Sequence, residues 1–428
     1  MWTRALGSRP RAATIARVVA EATKGDTAGA RLHSLTRSGE RVQATLSVNG
    51  TEHVLTHRVV GGEPAKSYDS FVVAAMPIAM RTGNALVADG PISPRLLGGL
   101  LSAQRILNGW YPELRRITVS GPQAPARVAS RRGVASFFSA GLDSFYSALR
   151  HRERLDALIF VHGFDVRLDD LAYRERVARV VRRAAAALEL PLVEVETDVR
   201  QSARPYTRWG AQYHGALLAS IALVLENRFS EVVIPASAPA TLLHPWGSHP
   251  DLDPLWSSDT VEVIHDGAVT RGEKLALITD SQVALDNLRV CFQVGTKRLN
   301  CGRCEKCLRT MVGLRIAGAL ERCPTLPDEV PLRRLARTPI PADYLLDRAG
   351  ENVAAAESVG DAELAAALER MIRDGPRRAA RQKARELRRR EMRRRWRRSR
   401  RALGRRRLSA VRRLRKLRRR TRERLGLT

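Results

Sequence analysis

The chain has 428 residues, 44% of them hydrophobic, and carries 74 Lys and Arg against 44 Asp and Glu for a formal net charge of +30. That length and apolar content make it a globular protein able to bury two or more cores, so two folded domains plus extensions are expected. The longest apolar run, 215–225, is too short to span a bilayer and the start lacks the apolar block of a secretory signal, so the chain reads as cytosolic with no transmembrane segment.

Taken in chain order, the first 130 residues read as a small α+β domain. In "RVQATLSVNGTEHVLTHRVV" apolar and polar residues alternate on both sides of Asn49-Gly50, a dipeptide that readily takes the positive φ angles of a two-residue turn. A β-hairpin is expected there. Further strands are expected over 71–76, 85–88 and 116–119. Ser93 and Pro94 suit the cap and first turn of a helix carrying Leu97, Leu100, Leu101 and Ile106. "SGPQAPARVASRRG", residues 120–133, is rich in small residues and Pro and reads as a linker.

From Gly133 the rhythm becomes strand, helix, strand, and a domain over 131–325 is expected. Strands are expected at 133–138, in "ALIFVHGFD", in "PLVEVETD" and in "EVVIPAS". Between them, Leu142, Phe145, Tyr146 and Leu149 recur with helical spacing, as do Val177, Val180, Val181, Ala184 and Leu188. A long apolar helix is expected over 212–225. Such alternation predicts an α/β fold, a parallel sheet with helices on both faces, whose ligands bind beyond the C-terminal strand ends.

The first strand of this series runs into Ser139-Ala140-Gly141-Leu142-Asp143-Ser144. A sharp strand-to-helix turn of small residues turns backbone N–H groups and a helix N-terminus toward an incoming anion, with Ser139 and Ser144 as hydroxyl donors. The expected occupant is a pyrophosphate. Neither GxxxxGK[ST] nor GxGxxG occurs at this turn.

Four cysteines lie close together in "CFQVGTKRLNCGRCEKC": Cys291, Cys301, Cys304 and Cys307. Four thiolates at short spacings suit a tetrahedral structural zinc ion, and the absence of a secretion signal argues against disulfides. Arg303, Glu305, Lys306 and Arg309 make the segment too polar for a core. A zinc subdomain is expected at 288–312, while Cys323, which stands apart, is expected in the core.

The loop resembles the SGGxDS signature of the PP-loop ATP pyrophosphatases, with Ala140 where that family carries its second Gly. A lone cysteine followed by CxxCxxC downstream resembles 7-cyano-7-deazaguanine synthases in particular, over roughly residues 132–320. The resemblance implies an adenine nucleotide alpha hydrolase-like fold. It also implies an ATP-dependent, AMP-forming ligase that adenylates a carboxylate or amide oxygen of a small-molecule substrate and releases pyrophosphate, using Mg2+. Asp143, Ser139 and Lys274 are then the catalytic candidates, and residues 139–144 the ATP loop. "VHGFDVRLDD" stands where the family has a tyrosine-containing substrate segment, so the substrate is not implied.

Candidate substrate contacts are His214 at the start of the apolar helix, Arg271 beside Lys274 in "TRGEKLALI", Asp165 past the second strand, and His249, Asp251 and Asp253 in the stretch 242–258. That stretch is expected to face the phosphate loop, because loops beyond strand ends carry function. A connecting segment over 326–370 leads to a tail, 371–428, with 28 Lys and Arg against 4 Asp and Glu. It is expected to be a helix that is solvated or binds a polyanion. Leu408, Val411, Leu414 and Leu417 add a thin apolar stripe suited to an anionic membrane surface, and RNA is the other partner expected. Two other functions fit the sequence: a PP-loop enzyme that modifies tRNA, and a nucleotide-binding scaffold without turnover.

Overall fold

The computed structural model describes residues 29–125, 132–291 and 298–424. They divide into two compact units, the first reaching to residue 310 and including 317–328, the second made of 311–316 and the residues from 329 onward. Residues 126–131 of the expected linker lie outside the described residues, as do the side chains of Leu408, Val411, Leu414 and Leu417.

The first unit opens with an antiparallel meander of β1 (Ala30–Ser38), β2 (Arg41–Val48) and β3 (Thr51–Val59). Asn49 and Gly50, both at positive φ (49° and 75°), form the expected hairpin turn between β2 and β3. Residues 71–76, expected as a strand, lie inside helix α1 (Tyr68–Thr82). Twelve residues of α1 are buried, so its sequence is apolar all round, and a short apolar run looks the same in a buried strand. Strand β4 (Leu86–Ala88) follows, then α2 (Pro94–Trp110), capped as expected by the Ser93 hydroxyl accepting from the Leu96 N–H, and the short β5 (Val119–Ser120).

The strand and helix alternation then appears in the expected places. Its strands are β6 (Gly133–Phe137), β7 (Ala157–His162), β8 (Leu192–Thr197), β9 (Phe229–Pro235) and β10 (Glu262–Asp266). Helices α3 (Leu142–Arg150), α4 (Leu171–Ala187), α5 (Val199–Ala203), α6 (His214–Val224), α7 (Arg271–Thr279), α8 (Gln282–Asn287) and α9 (Glu305–Ile316) accompany them. A single π-helical turn, Trp209–Tyr213, leads into α6. The apolar all-round α6 packs against α1, while α3 packs against α7 and α4 against α8. Right-handed crossovers place α3 and α4 on one face of the sheet and α6 on the other.

All ten strands form one sheet, in the order β10-β9-β6-β7-β8-β3-β2-β1-β4-β5. Its five strands from β6 onward are mutually parallel, and β3 joins them antiparallel to β8, with His57 opposite Thr197 and Val59 opposite Val195. Residues 29–125 share their core with the strands that follow: Leu32, Leu46 and Leu55 lie in one apolar cluster with Val195, Leu223 and Val232. From β6 the chain winds outward to β7 and β8, and then returns to place β9 on the other side of β6. This reversal makes the C-terminal ends of β6 and β9 the crevice where such sheets take ligands.

The second unit is helical, with α10 (Leu332–Leu335), α11 (Asp343–Ser358) and the long α12 (Ala362–Arg424). No helix among the described residues is long and apolar enough to cross a membrane.

Candidate functional site: a cationic cleft beside four cysteines

At the crevice, Ala140 turns the chain from β6 into α3 with a φ of 57°, the left-handed region that an L-residue enters at a cost of about 1–2 kcal/mol. The turn is of the kind glycine adopts freely. The loop is braced from within. Ser144 Oγ accepts from the N–H groups of Gly141 (3.0 Å) and Ser139 (3.2 Å) and donates to the Gly141 carbonyl (3.0 Å). Ser144 therefore holds the turn, whereas Ser139 is exposed to the cleft. A Cβ added at Gly141 would meet Ser139 Oγ at 3.2 Å and the Arg289 carbonyl at 3.5 Å, so the backbone is approached closely there.

The cleft beyond this loop has a volume of about 120 Å³. Ser139, Gly141, Leu142, Asp143 and Ser144 line one side, and Arg271, Arg289, Lys306 and Arg309 the other, with Asp165 at the margin. Lys274, one of the catalytic candidates, is 2% exposed. Its Nζ donates to Asp143 Oδ1 at 2.7 Å and to the Ala236 carbonyl just past β9, so it ties α7 and α3 to the strand end across the crevice. Burial works to raise the Asp143 carboxyl, but Lys274 and Arg271, with Arg309 farther off, hold it below the usual carboxylate range.

Arg289 was not singled out in the sequence. It is 6% exposed, its backbone N–H donates to the Ala140 carbonyl at 2.7 Å, and its guanidinium reaches the Ser139 carbonyl at 3.4 Å. Its Nε meets no hydrogen-bond partner among the described residues. An arginine buried without a carboxylate pays a desolvation penalty that only an anion in the cleft would offset. Nothing periodic marks this position; its one sequence signal is that it stands two residues before Cys291. Lys306 and Arg309, visible in the sequence only as polar neighbours of the cysteines, lie one turn apart on α9 and enter the same cleft.

The cysteine sulfurs of Cys291, Cys301, Cys304 and Cys307 all lie within 4.8 Å of one another. Three of the separations are 3.5, 3.9 and 3.9 Å, against roughly 3.8 Å between the corners of a zinc tetrahedron with bonds of about 2.3 Å. None of the four is in a disulfide among the described residues. Cys301 Sγ accepts from the N–H groups of Cys304 (3.2 Å) and Arg303 (3.4 Å). The four residues can therefore hold a metal ion such as zinc. Asn300, 2% exposed, clamps the cluster to the strap beside the loop: its Oδ1 accepts from Val290 and Cys291, and its Nδ2 donates to the carbonyls of Leu288 and Thr325. Cys323 is fully buried, as expected of a core residue, and its thiol donates to the Leu285 carbonyl at 3.4 Å.

The other expected contacts do not line the cleft. Asp253 is fully buried, and its Oδ2 accepts from Ser248 Oγ and pairs with His265 Nδ1, each at 2.7 Å. His249 packs edge-on against Trp110 with ring centres 4.8 Å apart, and its Nδ1 accepts from the Asp251 N–H. Burial pushes the His249 imidazole down, with the exposed Asp251 opposing. The stretch 242–258 thus turns its polar groups inward instead of toward the loop. His214 stands behind Trp209, with ring centres 5.1 Å apart, and burial lowers its pKa despite Asp165 and Asp253. Compared with protein-family models, curated proteins and solved structures, the chain matches none.

Proposed function

We propose that the cleft binds the pyrophosphate portion of ATP and that the protein is an AMP-forming ligase. The observation that carries this reading is the buried Arg289, with no carboxylate partner among the described residues, beside a loop of backbone N–H groups and three further cations, at the reversal point of a parallel sheet. In the proposed reaction a substrate carboxylate or amide oxygen attacks the α-phosphorus. The bond from that phosphorus to the bridging oxygen breaks, and pyrophosphate leaves into the field of Arg271, Arg289, Lys306 and Arg309. A nucleophile of the ammonia class then displaces AMP. No side chain forms a covalent bond; the chain's contribution is positioning and neutralisation of developing charge. Lys274 fixes Asp143 so that the loop keeps its shape as charge builds. Mg2+ would be held by phosphate oxygens with Asp143 or Asp165, the carboxylates of the cleft, and would supply charge neutralisation.

Zinc fits the four thiols, and its proposed role is structural, because four thiolates leave no position for a reacting water. Through Asn300 and α9 it would hold Arg289, Lys306 and Arg309 around the phosphates.

The test is a screen of small carboxylates and amides with ATP, Mg2+ and ammonia, following AMP and pyrophosphate. Ser139→Ala, Gly141→Val and Asp143→Asn should each lower AMP formation in folded protein. Formation of ADP and orthophosphate would overturn the reaction class, and full activity in Gly141→Val would place ATP elsewhere.

A further inference from the structure

The second unit carries a cationic groove with a volume of about 520 Å³. One wall is a single face of α12, where Arg378, Arg381, Arg385 and Arg389 recur every three or four residues; Arg337 and Pro339 form the other. The walls are fixed against each other. The Ile340 N–H donates to the Gly375 carbonyl at 3.2 Å, and Gly375 is packed so closely that a Cβ there would meet Ile340 Cγ1 at 2.7 Å. Five arginines and one carboxylate, Glu386, line this groove, and of the five Arg378 is paired with Asp374 at 3.2 Å. The groove therefore has the charge of a phosphate site, on a helix whose positive character continues through residue 424.

Two polyanions differ in the helix they require. A helix lying on a membrane needs an apolar face sunk into the lipid. Here the large apolar residues exposed on the described part of α12 are Leu387, Met392 and Trp396; Met392 and Trp396 lie one turn apart on one face and Leu387 about 140° away, so two side chains do not make a continuous apolar face. A helix charged all round is neutralised by an anion that surrounds it. The B-form major groove, about 12 Å wide with phosphates on both walls, admits a helix about 10–12 Å across, and the narrow A-form groove of duplex RNA does not.

We propose that α12 docks in the major groove of duplex DNA and that the cleft between Arg337 and the Arg378–Arg389 face takes the phosphates of one flanking strand. Contacts of this kind are independent of sequence and release counterions, so affinity falls steeply with salt.

The experiment uses the full chain and fluorescence anisotropy of a labelled random-sequence DNA duplex across a salt series. The combined Arg381→Gln, Arg385→Gln, Arg389→Gln variant should bind at least tenfold more weakly, and the slope of log affinity against log salt should fall by about 0.9 per lost contact. These three side chains are exposed, so helicity by circular dichroism should be unchanged. Replacing the same three with Lys should retain the slope, which a merely structural role would not explain. Arg337→Gln tests the opposite wall and should lower the slope by about one contact. Tighter binding to duplex RNA or to phosphatidylserine vesicles than to DNA, or an unchanged slope in the Gln variants, would overturn the proposal.

Discussion

Two loops lie past parallel strands of the same sheet, residues 139–144 after β6 and the longer stretch 242–258 after β9, and both are rich in polar side chains. In the longer loop most of those groups answer one another: Asp253 Oδ2 takes Ser248 and His265, and His249 takes the Asp251 N–H, while Asp253 Oδ1 and Trp256 Nε1 are buried without a hydrogen bond among the described residues. The shorter loop lies beside Arg289, a cation whose Nε is buried without a hydrogen bond among the described residues, and both line one cleft. Polar content alone therefore does not mark a site. What separates the two is whether polar groups close on themselves or converge on a space.

The largest effect that would sharpen this contrast is loss of the cysteine cluster. Structural zinc sites carry on the order of 10 kcal/mol of apparent binding free energy, and here the cluster sits on the strap that carries Arg289 and at the start of the helix that carries Lys306 and Arg309. Elemental analysis should give one zinc per chain. Cys304→Ser should lose the metal, unfold at lower temperature and lose pyrophosphate binding by calorimetry. Retained pyrophosphate affinity in a metal-free, folded variant would separate the cluster from the cleft.

Next in size is Asp253→Ala, which leaves Ser248 and His265 without their shared acceptor and should cost about 1–3 kcal/mol for each group so stranded, measured by urea denaturation. Pyrophosphate affinity in the folded fraction should not change. If affinity vanishes while stability holds, the longer loop is part of the site after all.

Sequence and structure agree where local chemistry decides the outcome. The Asn49-Gly50 turn, the Ser93 cap, the strands from β6 to β9 and the four cysteines follow from residue type and spacing. They diverge where an element is buried on every side, as in α1, because a period cannot be read from uniform apolarity. β1 and β10 were missed; β10 carries Glu262, His265 and Asp266 in a strand of five residues, too short and too polar to show a pattern. Arg289 was hidden for another reason. In a chain with 67 arginines no single one stands out, and its meaning comes from burial, which only the fold supplies.

Arg289→Met tests that point directly. Removing a charge-assisted contact should weaken pyrophosphate binding by about 1.5–3 kcal/mol, or roughly 10–100-fold. Replacing a buried, unpaired charge with an apolar side chain of similar length should leave stability equal or higher. Weaker binding together with equal or greater stability is the signature of a group placed for a ligand. A loss of several kcal/mol in stability would instead make Arg289 a structural strut like Asp253.

The smallest effect concerns Ala140, and it is a balance of three terms. Glycine there would relieve about 1–2 kcal/mol of left-handed strain. It would also give up about 0.8 kcal/mol of methyl burial, since Ala140 is fully buried, and about 0.4–1 kcal/mol through the greater freedom of the unfolded chain. The terms nearly cancel, so Ala140→Gly should change stability by less than about 1 kcal/mol on this balance. Ala148, equally buried but inside α3, has no strain to relieve. There the same substitution should cost about 1.5–2 kcal/mol from lost burial and helix propensity together. Thermal denaturation of the two variants side by side measures the difference, which is the strain held in the loop. Pyrophosphate affinity should survive in Ala140→Gly because glycine adopts the same turn freely. Equal destabilisation at both positions would mean that the loop is not held in the left-handed turn on which the cleft depends.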